Sequence, residues 1–109
     1  MKKTVIIKNF RFIDDAFLKF VGLMFSKKQK KSLIFKFNKE IIIHLHMFFV
    51  FYPIDVLFLD KNKIVVDIKE NFKPFTFYKS KKKAMYAIEL PNGIIKRTKT
   101  EIGDKIDIW

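Results

Sequence analysis

His44 and His46 stand two residues apart inside the run Ile41 to Asp60, IIIHLHMFFVFYPIDVLFLD. Residues at i and i+2 of a strand share a face, so the pair has the spacing of two imidazole ligands to a divalent metal. A third ligand must come from a neighbouring strand, and Asp55 and Glu89 are the attractive choices. The blander reading places both histidines at the rim of the core, trading hydrogen bonds with backbone or a carboxylate. Asp55 lies in the most apolar part of the chain, so it either reaches solvent in a cleft or accepts hydrogen bonds from backbone amides at the turn after Pro53. A desolvated carboxylate has a raised pKa and suits acid or base work. A carboxylate that caps the bend and fixes register is the preferred reading for Asp55. Glu89, just before Leu90-Pro91, reads as a strand-end partner for a lysine.

A second constellation is cationic and aromatic. Phe72, Phe75, Phe77 and Tyr78 lie among Lys69, Lys73 and the cluster Lys79, Lys81, Lys82, Lys83. That mixture could stack single-stranded bases beside a positive groove. With 14 phenylalanines in the chain, most must be core, and a solvated loop with its aromatics folded inward is the competing picture. The net charge of +12 does not decide between them, because Arg11 and Arg97 are the only arginines. Base-edge readout and phosphate forks favour guanidinium, whereas A/T-rich codons alone supply Lys, Ile, Asn and Phe. Ser26, Ser32 and Ser80 sit in lysine-rich surroundings without a glycine elbow, and three scattered glycines cannot form a phosphate loop. The absence of cysteine excludes disulfides, thiol catalysis and thiolate metal sites, and suits a reducing compartment. No cofactor is predicted.

These side chains need elements to hold them. The run from Ile41 is long enough for a bilayer span, which takes about 20 apolar residues. His44, His46, Pro53 and Asp55 interrupt it, and a carboxylate at the bilayer centre costs about 2.5–3.5 kcal/mol. The expectation is therefore two buried strands, Ile41 to Phe51 and Val56 to Asp60, meeting at a bend, with no membrane span. Thr4 to Lys8 and Leu33 to Phe37 also read as strands, and Asp14 to Leu23 as one short helix. Lys61-Asn62-Lys63 closes a hairpin between Val56 to Leu59 and Ile64 to Ile68. Asn71 to Lys83 reads as a solvated loop, Ala84 to Leu90 as a strand, and Pro91-Asn92-Gly93 as a turn. Ile94 to Thr98 reads as one helical turn, and Lys105 to Ile108 as the last strand. At 109 residues, without repeats or linkers, the chain is expected to be a single mainly β domain, sandwich-like or barrel-like, with one or two short helices. The apolar stretch of MKKTVII ends at Lys8, too short for an export signal, so a cytoplasmic location is expected.

Several motifs in this order are familiar. Gly22-Leu23-Met24-Phe25, the stretch from His46-Met47 to Pro53-Ile54-Asp55, Phe58-Leu59-Asp60 before a hairpin, Glu89-Leu90-Pro91-Asn92-Gly93, and Gly103-Asp104-Lys105-Ile106 resemble the domain-of-unknown-function family 192, also called uncharacterised protein family 0127. The resemblance runs from Phe17 to about residue 108. It implies a compact β domain and no established activity. Where relatives commonly follow Gly-Leu-Met-Phe with arginine, this chain has Ser26 and Lys27; where they often carry a Trp-Met-Lys-Asn-Thr-like stretch, it reads His46-Met47-Phe48-Phe49-Val50.

The expected function is a ligand-binding or accessory module, with a small ligand or a protein as partner. Its cleft would gather Asp55, Glu89, Gly22, Met24 and His46. A nucleic-acid-associated protein using Lys79, Lys81, Lys82 and Lys83 is the alternative. A metal-dependent or acid/base enzyme centred on His44, His46 and Asp55 is the third.

Overall fold

The computed structural model describes residues 3–8, 10–13 and 32–108. Among the described residues nine strands and one helix follow in order: β1 (Thr4–Ile6), β2 (Phe10–Ile13), β3 (Ser32–Ile41), β4 (His44–His46), β5 (Ile54–Leu59), β6 (Val65–Phe72), β7 (Phe77–Lys79), β8 (Ala84–Pro91), α1 (Ile94–Thr98) and β9 (Lys105–Asp107). The fold is mainly β, as expected. The helix expected over Asp14 to Leu23 lies outside the described residues.

The strands form an open five-stranded sheet, order β2-β3-β8-β5-β6, and two two-stranded ribbons, β1-β9 and β4-β7. Among the described residues no sheet closes into a barrel. In the large sheet only β2 and β3 run parallel; the other pairs are antiparallel. All six residues of β5 are buried, which is why that segment reads as a continuous apolar run rather than an alternation.

Both faces of the sheet are covered. On one, Leu33, Phe35, Val56, Phe58 and Ala87 pack with Met47, Val50 and the inward side of the β4-β7 ribbon, Leu45 and Tyr78. On the other, Ile34, Leu57, Leu59, Ile88 and Leu90 pack with Ile95 of α1 and with Ile106 and Ile108. Two small cores on opposite sides of one sheet thus replace a single interior.

The hairpin between β5 and β6 has a clear local cause. Asp60 Oδ1 accepts hydrogen bonds from the Asn62 and Ile64 amides at 2.8 and 3.0 Å. Lys63 takes the left-handed conformation, φ 64°, and the Asp60 and Ile64 backbones close the ladder at 3.0 Å.

The structure adds β2, where no strand was expected, and departs from expectation in two further places. Ile41 to Phe51 is not one strand: β3 ends at Ile41, β4 holds three residues, and the chain turns at Phe48-Phe49 with Phe49 at φ 58°. Asn71 to Lys83 is not wholly a loop, because β6 continues to Phe72 and Phe77–Lys79 pairs with β4. In the first, apolar and aromatic turn residues carry no glycine or proline to mark them; in the second, Pro74 and the lysines that read as loop flank a short turn between two strands.

Candidate functional site

Asp55 sits on β5, an interior strand of the large sheet, 1% exposed, with its carboxylate fully engaged. Oδ1 accepts from the Asn71 amide at 3.0 Å and from Asn92 Nδ2 at 3.2 Å; Oδ2 accepts from the Gly93 amide at 3.0 Å and the Ile95 amide at 3.1 Å. The capping reading of Asp55 is thus right in kind and wrong in place. The donors belong to the β6 end and the turn into α1, rather than to the bend after Pro53. Gly93, at φ 94°, starts that turn. A Cβ there would meet nothing within 4 Å, so it is the left-handed backbone, not crowding, that asks for glycine.

Glu89 does not join Asp55. Register pairs Asp55 with Leu90 and Val56 with Glu89, and cross-strand partners share a face while successive residues alternate. Asp55 therefore points to the face covered by α1, and Glu89 to the opposite face beside Leu33 and Val56. Glu89 is 6% exposed, and burial raises its carboxyl to about 8. The cleft drawn from Asp55, Glu89 and His46 is not assembled on one face. Gly22 and Met24, its other expected members, lie outside the described residues.

His44 and His46 share a face, as their spacing required, and it is the outward face of the β4-β7 ribbon. Their cross-strand neighbours are Lys79 and Phe77, a cation and an apolar ring. His46 Nδ1 accepts the Phe48 amide at 3.1 Å. Among the described residues no three His, Asp or Glu side chains lie close enough to share a metal ion.

Two further carboxylates are built into the frame. Asp67, 4% exposed, accepts from the Tyr78 hydroxyl and the Lys81 and Ile68 amides, each at 2.8 Å. Desolvation, with the Asp67 bond second, pushes the Tyr78 hydroxyl up to about 12. Asp104 accepts from the Lys3 ammonium at 2.9 Å, the Lys3 amide at 3.1 Å and the Glu101 amide at 2.8 Å, and these hold its carboxyl down to about 2, the Lys3 side chain most strongly. The Lys3 ammonium also bonds the Lys99 carbonyl.

The lysine cluster Lys79, Lys81, Lys82 and Lys83 is exposed, but the aromatics beside it divide. Phe72 is fully buried and Tyr78 packs inward, whereas Phe75 and Phe77 are 48% and 71% exposed.

Sequence reasoning missed a cavity of about 310 Å³ where β1, the start of β3 and α1 meet the large sheet. Its apolar wall is Ile6, Leu57, Leu90 and Ile94; Lys8, Ser32, Thr98 and Thr100 supply polar groups. Asp55 borders it indirectly. By fixing the Gly93 and Ile95 amides, the carboxylate sets the position of Ile94 between them. Only the β5-β8 register, invisible in sequence, places Leu57, Leu90 and this turn together.

Comparison with known proteins follows the same outline. The family model DUF192, described as an uncharacterized ACR, matches residues 3–108. The chain belongs to the DUF192 family. A UPF0127 protein of Thermococcus sibiricus is 40% identical over 99 residues, 89% of this chain and 64% of that protein; the chain thus spans under two thirds of that relative's length. A crystal structure of a protein of unknown function from Novosphingobium aromaticivorans superposes with a TM-score of 0.82 at 22% identity, covering 88% of this chain and 71% of that one. A second, from Sinorhizobium meliloti and named a "putative transcription regulator", gives 0.81 at 23%, covering 86% and 76%. At these identities the two structures share the fold of DUF192. The family has no established activity, and no helix among the described residues is long and apolar enough to cross a membrane.

Proposed function

We propose that this DUF192 chain is a small-ligand-binding or accessory module of the cytoplasm, and that its site is the cavity between α1, β1 and the large sheet. The observation that carries the reading is the composition of that cavity. An apolar wall of Leu57, Leu90 and Ile94 shares the lining with Ser32, Thr98, Thr100 and Lys8, the Thr98 and Thr100 hydroxyls bonded to each other at 2.6 Å. Small-molecule sites are characteristically apolar concavities with a few convergent polar groups. The pairing here suits a short apolar tail ending in a carboxylate or another hydrogen-bonding head.

Asp55 has a supporting role in this reading. Its four hydrogen bonds are made within the protein, so it holds the wall in place rather than meeting the ligand. An amide-shift titration with butyrate and octanoate tests the proposal. Saturable shifts should be confined to Ile6, Leu57, Leu90, Ile94 and their neighbours, stronger for octanoate, and abolished by Ile94→Trp, which fills the cavity from a half-buried helix position. Shifts that are diffuse, unsaturable or unaffected by Ile94→Trp would remove the site.

A further inference from the structure

The end of the molecule formed by β4, β7 and their flanking turns exposes aromatic rings. Phe51 and Phe77 are 60% and 71% exposed, and Phe48, Phe49 and Phe75 are 38%, 44% and 48% exposed. Ring contacts tie them into two groups, which meet in sequence at Phe48-Phe49. Phe48 meets Phe77 edge to face at 5.0 Å, and Phe75 meets Phe49 at 5.8 Å and Phe51 at 5.6 Å. The Met47 carbonyl binds the two turns together, accepting the Phe75 amide at 2.7 Å and the Val50 amide at 3.3 Å. Phe49 and Phe75 both adopt the left-handed backbone, φ 58° and 59°, a conformation unfavourable to aromatic residues. Rings held outward at such a conformational cost are a functional signal.

The two segments that carry them are cationic. Residues 41–54 and 71–88 supply Lys73, Lys79, Lys81, Lys82, Lys83 and both histidines, and contain no aspartate or glutamate. The nearby Asp67 carboxylate is buried and spent on Tyr78, Ile68 and Lys81. Lys79 lies on the same outward strand face as Phe77.

We infer that this end docks on an anionic lipid surface, the phenylalanines entering the acyl boundary and the lysines meeting phosphate headgroups. The combination is the one by which peripheral proteins lie on membranes without spanning them. Charge complementarity selects the partner's sign, and ring geometry selects its class. Single-stranded bases stack on open ring faces, commonly with arginine alongside. Here the rings close edge to face on one another at turn tips, and the two segments contain no arginine. An apolar slab that admits ring edges fits them better.

Co-sedimentation at about 150 mM salt, where the Debye length is about 8 Å, tests this with vesicles of pure phosphatidylcholine and of phosphatidylcholine with phosphatidylglycerol. The wild-type chain should pellet with the mixed vesicles and remain free of the neutral ones. Lys81→Gln/Lys82→Gln/Lys83→Gln should weaken partition about a hundredfold, at about fivefold per lysine. Phe51→Ser/Phe77→Ser should weaken it by at least about tenfold. Because Phe51 and Phe77 are mostly exposed, melting curves of that variant should match wild type. Phe77→Trp should add a blue-shifted emission on the mixed vesicles. Failure to pellet with any vesicle overturns the inference. So does pelleting that persists in Phe51→Ser/Phe77→Ser, which reduces it to lysine adsorption. Tighter binding to single-stranded oligonucleotide, lost in the same variant, would assign the patch to nucleic acid instead.

Discussion

Replacing Asp55 by alanine should cost about 3–7 kcal/mol of folding free energy. The figure comes from the four donors that would lose their acceptor. The Ile95 bond is buried, and an unmet buried donor costs about 1–3 kcal/mol. The Gly93 and Asn71 amides and Asn92 Nδ2 are only part-buried, regain water, and lose the net value of a hydrogen bond, about 0.5–1.5 kcal/mol each. For a domain stable by about 5–15 kcal/mol this is a large share, equivalent to about 12–30 °C in melting temperature. Urea unfolding gives the number directly, provided the slope m is unchanged. Asp55→Asn separates the explanations. An asparagine presents one oxygen and one NH2 group, so whichever way it turns, two donors face two donors, and it should lose nearly as much as alanine. A carboxylate retained for chemistry at the expense of stability behaves oppositely, and its neutralisation stabilises. An Asp55→Asn midpoint at or above wild type would refute the latch argument.

Other outcomes follow from the buried titrating groups. Glu89, raised to about 8, stays protonated in the folded chain while the unfolded chain ionises above its model value of 4.5. Its contribution is therefore fully present below about 4.5 and lost as pH rises toward 8. Urea midpoints of Glu89→Gln should lack this fall between pH 5 and 8 and exceed wild type at pH 8. Asp104, lowered to about 2 from 3.8, has the opposite sign: its contribution is full above about 4 and fades as pH falls toward 2. Stability curves in acid should be flatter for Asp104→Asn, and Lys3→Met should raise the acid midpoint. Tyr78→Phe removes the bond to Asp67 and should cost about 1–2 kcal/mol in urea unfolding. A near-ultraviolet titration should lose the tyrosine ionising at about 12.

What could be read from sequence was whatever announced itself locally. Asp60 and Lys61-Asn62-Lys63 announce the β5-β6 hairpin, and Pro91-Asn92-Gly93 announces the turn before Ile94–Thr98. Where nearly every residue is apolar and no turn former appears, periodicity has little to report. From Ile41 to Phe51 the chain ends one strand, makes another of three residues and turns through a left-handed phenylalanine, without one glycine or proline. The candidate site was harder for a different reason. Asp55 was identifiable as a buried carboxylate, but its donors come from 16 to 40 residues away. The separation of Asp55 from Glu89 depends on strand parity, a one-residue difference in the β5-β8 register that exchanges faces.

The Asp55 latch also bears on how the chain folds in time. Three of its four hydrogen bonds, from Asn92, Gly93 and Ile95, cannot form until β5 has met β8 in register and the chain beyond β8 has turned back; the fourth, from Asn71, needs the β5-β6 hairpin. Loop closure over such separations is completed late, so these bonds contribute little to the folding transition state. An interaction absent from the transition state acts on the reverse rate alone. Asp55→Ala should leave the refolding arm of a chevron almost where it was and raise the unfolding arm by nearly its whole loss of stability. The carboxylate thereby governs how long a folded molecule lasts more than how quickly one is made.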